Sequence, residues 1–413
     1  MSKFLPLILG SDENAYGTAR QFRDVPDAAR PLLLCALPLR ATRASSLFDI
    51  KVVPDLDRDD VFPAALTETI DALDHAAYPG GVVVIPCSDY YTGLLCRHAA
   101  ILEGRVRNRF NPPELLETLD TKDRFYALCD QYGLDYPRTV VAEFDERERV
   151  VDTLPFDFPI VCKPENSNAS DYLHCKFEGV KKVYFFSSRQ EYLDIARKLT
   201  DAGYRGKLIL QEFIPGGDDA MRVLNSYSDA DGHVRAMSLG QPVLEFYDPA
   251  SIGNYAAIIS RSDRALCERM RAFFEAIGYV GFSNFDMKYD SRTGRYVLFE
   301  INPRLGRSSF FSYSAGMNFM RILADDVIAG KRDPFTCCER TVLWAHVPRG
   351  ILRRYVSDDA LRAEIARLPI HYTLWWEGDR NLKRAYQISR YALGQYRSFR
   401  RWYFDKTGEI HQK

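Results

Sequence analysis

The sequence has few of the features that mark secreted, membrane-spanning or nucleic-acid-binding proteins. Its nine cysteines are scattered, mostly in apolar runs, and no CxxC pair is present, which argues against disulfides and zinc. No uncharged run is long enough to span a bilayer, and the first apolar run is short and interrupted by Pro6, so we expect no signal peptide. A formal net charge of −1 argues against a general nucleic-acid binder. The composition predicts a soluble, cytoplasmic protein with reduced thiols.

The length and the pattern of the first part predict several domains. A chain of 413 residues is too long for one ordinary core, so two or three domains are expected. Up to about residue 118, apolar strands alternate with amphipathic helices, a pattern typical of a parallel sheet flanked by helices. Ligands of such sheets bind beyond the carboxyl ends of the strands, where Gly10, Ser11, Ser88 and Asp89 lie. Ordinary loop chemistry is the alternative interpretation of each of these residues.

The most informative segment is a predicted hairpin near residue 290. Residues 281–289 and 296–301 are typical of strands, and residues 290–294 carry turn chemistry. Because side chains alternate across a strand, Asp286 shares a face with Lys288, and Glu300 shares a face with Asn302. In a simple hairpin the Cβ atoms of Asp286 and Glu300 lie roughly 5–8 Å apart. The other faces carry apolar residues that suit a core: Phe285, Met287, Val297, Phe299 and Ile301.

The polar face of this hairpin predicts a metal site. Two carboxylates and an amide oxygen converge there, and a set of oxygen ligands favours a hard cation such as Mg²⁺. A merely solvated polar face is the alternative. The following residues, Arg304 after a proline and then Arg307, favour an anion site beside the metal.

Two further buried strands carry polar residues at their ends. Residues 158–164 form an apolar strand that ends on Lys163, and a lysine in that position needs a partner. Residues 208–214 form another predicted strand, stopped by Pro215 and two glycines.

The ordered set Lys122, Lys163, Gln211 to Ile214, Asp286, Glu300 and Asn302 resembles the ATP-grasp superfamily. The resemblance covers roughly residues 1–330. It implies an α/β and α+β fold with a Rossmann-like pre-ATP-grasp domain over 1–118. An ATP-grasp domain would follow over 119–330, with a lid subdomain at about 138–215, and a basic, mostly helical extension over 331–413.

The resemblance also implies roles for individual residues. Lys122 and Lys163 would neutralise the phosphates of ATP, although an exposed helix charge is the alternative for Lys122. Gln211, Glu212, Phe213 and Ile214 would form the adenine hinge, and Asp218 or Asp219 would bind the ribose. Asp286, Glu300 and Asn302 would hold Mg²⁺, with Mn²⁺ as the alternative ion. Arg304 would stabilise the phosphate or acylphosphate group during transfer. Lys288, Arg307 and Arg222 could bind other anions, with surface salt bridges as the alternative for these three.

One segment departs from the superfamily pattern. A glycine-rich lid loop is expected after the second lysine, but residues 165–172 contain no glycine. Small polar residues can still cover phosphates with backbone N–H groups and hydroxyls. No biotin-carrying motif is present, which argues against a carboxylase.

Within the superfamily the chain resembles the carboxylate–amine ligases typified by bacterial D-aspartate ligase. The resemblance lies in residues 8–12, 86–89 and 177–183 and in the basic tail. It implies an acylphosphate intermediate and an amide product, with a peptidoglycan-precursor lysine, UDP-linked or lipid-linked, as the acceptor. The alternatives are an amino-acid or dipeptide ligase of other specificity, and a non-catalytic ATP-binding sensor. Aspartate, another amino acid and a small hydroxy acid all suit an arginine-rich pocket.

The stretch 380–406 has three interpretations. It carries eight cations against the single acid Asp405, with aromatic residues between them. It is either a site for an anionic precursor with at most peripheral membrane contact, an interface in a homodimer, or a packed terminal helix with solvated arginines. RNA binding is disfavoured by the near-neutral charge of the whole chain.

Overall fold

The computed structural model describes residues 1–165, 170–177, 179–181, 183–249 and 251–405. Residues 166–169 of the predicted lid loop lie outside them, as do residues 178 and 182 and Lys406 of the basic stretch. The described chain forms two compact units. One contains Met1–Tyr132, Asp218–Met287 and residues 300–405, and the other contains Gly133–Gly217 and Lys288–Phe299.

The strands are, in chain order, β1 (Phe4–Leu9), β2 (Leu32–Cys35), β3 (Asp49–Val52), β4 (Gly81–Pro86), β5 (Thr139–Ala142), β6 (Ile160–Pro164), β7 (Tyr184–Phe186), β8 (Leu208–Glu212), β9 (Met221–Ser228), β10 (Val234–Glu245), β11 (Tyr255–Arg261), β12 (Gly281–Asp290), β13 (Arg295–Asn302), β14 (Thr336–Cys337), β15 (Leu343–Ala345) and β16 (Ile370–Tyr372). The α-helices are α1 (Glu13–Phe22), α2 (Phe62–Asp71), α3 (Asp89–Arg97), α4 (Pro113–Asp120), α5 (Lys122–Gln131), α6 (Arg147–Val150), α7 (Ser170–Leu173), α8 (Arg189–Asp201), α9 (Arg264–Ala276), α10 (Phe310–Ser314), α11 (Phe319–Val327), α12 (Arg349–Tyr355), α13 (Asp359–Arg367) and α14 (Leu382–Asp405). None of the helices in the described ranges is long and apolar enough to cross a membrane.

The amino-terminal sheet has the order β3-β2-β1-β4, with every pair parallel. Its central strand β1 is buried throughout, because apolar cores lie on both faces of the sheet. Helix α1 follows β1 directly, and the carboxylate of Asp12 caps it by accepting a hydrogen bond from the backbone N–H of Ala15 at 3.1 Å. Helix α3 follows β4 in the same way, with Ser88 as its cap. Both caps therefore lie at the carboxyl ends of parallel strands, as the alternating pattern predicts.

A second, mostly antiparallel sheet has the order β13-β12-β9-β10-β11-β15-β16, with β14 beside β10. The hairpin β12–β13 has the predicted turn, where the N–H of Gly294 donates to the carbonyl of Asp290 at 2.8 Å. Of its predicted core face, Phe299 is only half-buried. The other four residues are buried: Phe285, Met287, Val297 and Ile301. This face fixes the orientation of the polar side chains opposite.

The second unit contains an antiparallel sheet of order β5-β8-β6-β7. Strand β8 ends at Glu212, so Phe213 and Ile214 follow the strand, whereas the sequence predicts them inside it. Helix α8 packs on this sheet through buried residues that include Tyr192 and Leu199. The predicted combination of α/β and α+β parts, with a carboxyl-terminal helix, is confirmed.

Helix α14 is anchored at both ends, which supports the interpretation as a packed terminal helix. Near its start the side chain of Arg384 is buried and pairs with the buried carboxylate of Asp379, with Nε to Oδ2 at 2.9 Å. Near its end Phe399 is buried, and the hydroxyl of Tyr403 donates to the carbonyl of Tyr355 at 2.9 Å. The expectation that the arginines are all solvated is therefore wrong for Arg384.

Candidate active site

A cavity of 460 Å³ lies within the first unit, at the carboxyl ends of β1 and β4. The hairpin β12–β13 contributes three predicted metal ligands and the loop that follows contributes two predicted cations to its wall: Asp286, Glu300, Asn302, Arg304 and Arg307. Asp12, Ser88 and Asp89 reach the same cavity from the amino-terminal sheet. Residues far apart in the sequence therefore meet in one polar site.

Asp286 is the central carboxylate of this cavity. Its Oδ1 accepts a hydrogen bond from the hydroxyl of Tyr255 at 2.8 Å, and its Oδ2 accepts one from Nδ2 of Asn302 at 3.1 Å. Burial and then the nearby carboxylate of Glu300 raise the pKa of Asp286 to about 7, although the Tyr255 bond and Arg304 act in the opposite direction. A buried carboxylate with a second carboxylate nearby favours a bound cation.

The donor set fits a magnesium ion. Asp286 and Glu300 supply carboxylate oxygens, and the amide of Asn302 supplies a neutral oxygen once its O and N positions are exchanged. Across the described ranges, no group of three or more His, Cys, Asp and Glu side chains is placed to hold a metal ion. Two acids and an amide leave room for phosphate oxygens and water, which Mg²⁺ usually retains.

Arg304 lies beside the predicted metal ligands. Its Nη2 donates to Oδ2 of Asp89 at 2.5 Å, while its buried Nε has no hydrogen-bond partner. The side chain is 17% exposed, whereas that of Asp89 is 60% exposed. An arginine with one uncommitted donor and one exposed carboxylate partner can exchange that partner for an anionic ligand.

Arg307 forms the second basic position. Its Nε lies 3.5 Å from Oδ2 of Asp12, the residue that caps α1. Burial raises the pKa of the Asp12 carboxyl to about 6, against the lowering effects of the Ala15 N–H and of Arg307. This end of the cavity therefore holds a carboxyl group and a guanidinium group beside each other.

Lys122 and the two ribose candidates also lie in the first unit. Nζ of Lys122, in the first turn of α5, is 3.8 Å from Oε2 of Glu300. The carboxylate of Asp218 accepts from the backbone N–H of Glu245 at 2.9 Å and from the hydroxyl of Tyr247. Asp219 is exposed, so it is the better placed of the two to meet a ligand.

The other predicted nucleotide residues lie in the second unit. Lys163 is in β6, and Gln211 in β8 donates to Oγ1 of Thr139 at 2.9 Å. Phe213 lies under Nζ of Lys288, which is 5.4 Å from the ring centroid. Lys288 is buried, so an exposed surface salt bridge does not describe it. All four of these predicted residues belong to the second unit.

The side chain of Glu212 is committed to two arginines of the same unit. It pairs with Nε of Arg138 at 2.8 Å and with Nη2 of Arg292 at 3.0 Å, and these bonds lower its pKa. Its carboxylate is thus engaged, and its backbone N–H donates to the carbonyl of Arg138 at 2.9 Å.

Sequence reasoning missed several residues that line the cavity, among them Tyr255, His346, Tyr391 and Gln395. Tyr255 lies at the start of β11 and His346 directly follows β15. Tyr391 and Gln395 are one helical turn apart on α14, and Oε1 of Gln395 is buried without a hydrogen-bond partner. The aromatic content of the tail was the only signal, and it does not separate a cavity residue from a core residue.

No protein-family model matches the chain. Over 427 aligned residues it is 37% identical to a D-aspartate ligase of Enterococcus faecium, and the match covers 98% of each chain. A weaker match is to the carbamoyl phosphate synthase large chain of Vibrio parahaemolyticus. The two are 24% identical over a region that covers 56% of this chain and 21% of that one.

Solved structures share the fold at low sequence identity. An L-amino acid ligase from Bacillus licheniformis is 15% identical with a TM-score of 0.52, covering 79% of this chain and 75% of that one. N5-carboxyaminoimidazole synthetase from Staphylococcus aureus, solved with ADP, is 13% identical with a TM-score of 0.58 and covers 83% and 82% of the two chains.

Proposed function

The chain belongs to the family of D-aspartate ligase, within the ATP-grasp superfamily, and is an ADP-forming carbon–nitrogen ligase. From this premise we propose that it activates D-aspartate with ATP and joins it to the side-chain amine of a lysine in a peptidoglycan precursor. The observation that carries the proposal is the cavity in which Asp286, Glu300 and Asn302 face Arg304 and Arg307. An acid cluster beside two cations suits a reaction between a polyphosphate and a carboxylate.

We assign the nucleotide-binding roles to the residues that occur in the superfamily's order along the chain. Lys122 and Lys163 would bind phosphate oxygens as point charges, and Gln211 to Ile214 would hold the adenine through backbone groups. Asp219 is preferred to Asp218 for the ribose, because the carboxylate of Asp218 is already engaged by Tyr247 and a backbone N–H. Residues 1–118, 119–330 and 331–413 are proposed as the three functional domains.

Asp286, Glu300 and Asn302 would hold Mg²⁺. The ion, when bound, neutralises phosphate charge and aligns the nucleotide. Asp286 in particular needs this partner, because burial and the nearby carboxylate of Glu300 raise its pKa.

Arg304 and Arg307 would act on the reacting carboxylate. An oxygen of the substrate carboxylate attacks the γ-phosphorus, the bond to ADP breaks, and an acylphosphate forms. Arg304, released from Asp89, would stabilise the charge that develops on the transferred group. The acceptor amine then displaces phosphate and forms the amide. Lys288, in the second unit, is proposed as a further anion-binding cation.

The proposal is tested by phosphate release with ATP and Mg²⁺ across a panel of D- and L-amino acids, with and without a lysine-containing precursor. We expect release that needs D-aspartate and precursor together, and a matching mass gain on the precursor. Asp286→Asn should abolish it, whereas Asp231→Asn, at an exposed turn, is the matched control. Phosphate release with another amino acid would assign that amino acid as the substrate. ATP binding without any phosphate release would contradict the ligase function.

A further inference from the structure

His346 is the imidazole in the wall of the active-site cavity. It directly follows β15, and its backbone N–H donates to the carbonyl of Ala256 at 2.9 Å. Its ring packs edge-on against Trp344, with centroids 4.6 Å apart, and lies 6.4 Å from the ring of Phe246. The backbone and both aromatic rings hold the imidazole in one orientation.

The protonation state of His346 follows from its surroundings. Burial lowers the pKa of the ring, and Arg307 lowers it further, whereas Glu13 and a hydrogen bond to the carbonyl of Arg307 raise it. The charged and titratable groups that face it are Glu13 from α1, Arg307 from the loop after β13 and Tyr391 from α14. In the neutral ring one nitrogen carries a lone pair that can accept a proton.

A second cavity, of 200 Å³, adjoins the first. His346 and Tyr391 line both cavities, so the imidazole stands where the two meet. The remaining wall of the second cavity is largely apolar and includes residues of α14 and of the segment after β16: Leu374, Trp375, Ile388 and Ala392. Such a wall suits an alkyl chain whose polar end reaches the first cavity.

We propose that His346 is the general base that deprotonates the attacking amine, and that the second cavity holds the alkyl chain carrying that amine. The inference rests on the proposed function and adds to it a base and an acceptor subsite. The occupant is an amine on an aliphatic chain, because the lining of the second cavity is largely apolar and that of the first is polar.

The step balances in atoms and charge. The acceptor enters as an ammonium ion, R–NH₃⁺, and passes one proton to the free ring nitrogen of His346, which returns it to solvent. The neutral nitrogen then forms the C–N bond to the acyl carbon, and the C–O bond to phosphate breaks. The second proton of the nitrogen leaves with the phosphate as HPO₄²⁻, and the amide retains the third.

Hydroxylamine separates this step from activation, because it is already neutral at neutral pH and traps an acylphosphate as a hydroxamate without a base. The experiment measures two products from D-aspartate and ATP: hydroxamate with hydroxylamine, and amide with a lysine-type amine. His346→Asn is compared with His371→Asn, the same change at a half-buried residue of β16 outside both cavities. Ala392→Phe, which fills the second cavity, tests the alkyl subsite.

We expect His346→Asn to lower the rate of amide formation by about 10²-fold or more and to leave hydroxamate formation within about twofold of wild type. The residual amide rate should rise with pH, as the fraction of neutral amine rises. His371→Asn should leave both products unchanged. Ala392→Phe should raise KM for the lysine-type amine and leave hydroxamate formation unchanged.

Four results would overturn the inference. Retained amide formation in His346→Asn excludes the base, and an equal loss of both products assigns His346 a structural role only. An unchanged KM in Ala392→Phe excludes the alkyl subsite. Wild-type protein that forms no hydroxamate with any carboxylate of the panel would refute the proposed function itself, and the inference with it.

Discussion

The buried pair of Arg384 and Asp379 should be the most sensitive charged contact of the carboxyl-terminal helix. The carboxylate of Asp379 accepts from the backbone N–H and the hydroxyl of Ser46, both at 2.8 Å, and from the hydroxyl of Tyr16 at 3.1 Å. Nη1 of Arg384 donates to the carbonyl of Ala41 at 2.8 Å, and its guanidinium lies 4.0 Å from the ring centroid of Tyr16. The pair therefore ties α14 to the amino-terminal part of the first unit.

Arg384→Met keeps most of the side-chain volume and removes the charge. The carboxylate of Asp379 is 0% exposed, so it would be left buried without its ionic partner. Removal of one member of a buried pair costs about 3–5 kcal/mol of unfolding free energy. We expect a loss of that size in urea denaturation. Arg390→Met, at an exposed position of the same helix, should change the stability by about 0.5 kcal/mol or less.

The double variant Asp379→Asn/Arg384→Met separates charge from packing. It removes the buried carboxylate as well, so it should be more stable than Arg384→Met alone. A loss below about 1 kcal/mol in Arg384→Met, or a double variant less stable than the single one, would refute the reasoning. The pair also matters for activity, because α14 carries Tyr391 and Gln395 into the cavity.

Three further predictions concern single positions. Asp286→Asn keeps an acceptor for the Tyr255 hydroxyl, so thermal denaturation should show an intact fold while steady-state kinetics show turnover lowered by at least about 10²-fold. The folded-state pKa of Asp12 is raised to about 6, so the folded protein retains a proton that the unfolded chain loses, and stability should fall as pH rises from about 4 to about 6. Asp12→Asn, which can still cap α1, should remove up to about 3 kcal/mol of that dependence in urea titrations. Gly240→Ala places a Cβ 2.7 Å from Cγ2 of Ile258 and should cost about 1–3 kcal/mol in the same assay.

Local patterns in the sequence were enough to predict the amino-terminal sheet and the β12–β13 hairpin. Continuous apolar runs predicted β1 and β4, and turn residues 290–294 predicted the hairpin that presents Asp286 and Glu300 on one side. These elements are decided by neighbours in the sequence, so a pattern within a few residues is sufficient. Strand β11, which carries Tyr255, was missed because its buried face depends on pairing with β10 and β15.

The wall of the cavity depends on contacts between distant parts of the chain. Tyr391 and Gln395 meet Asp12 because α14 returns to the amino-terminal part of the first unit, and His346 comes to the same cavity from the end of β15. An arginine on a basic helix is usually solvated, so the burial of Arg384 required the position of Asp379, which no local pattern gives. The proposed roles of Lys122, Lys163 and the hinge residues remain predictions that variants at each position would test.

The transfer of oxygen from the carboxylate to phosphate tests the central claim most directly. D-aspartate labelled with ¹⁸O in its carboxyl groups would be incubated with ATP, Mg²⁺ and the lysine-containing precursor, and the released phosphate analysed by mass spectrometry. An acylphosphate leaves a carboxylate oxygen on the phosphate, so each phosphate formed should carry ¹⁸O and ADP should be the nucleotide product. Phosphate without the label, or label found in AMP, would contradict the account.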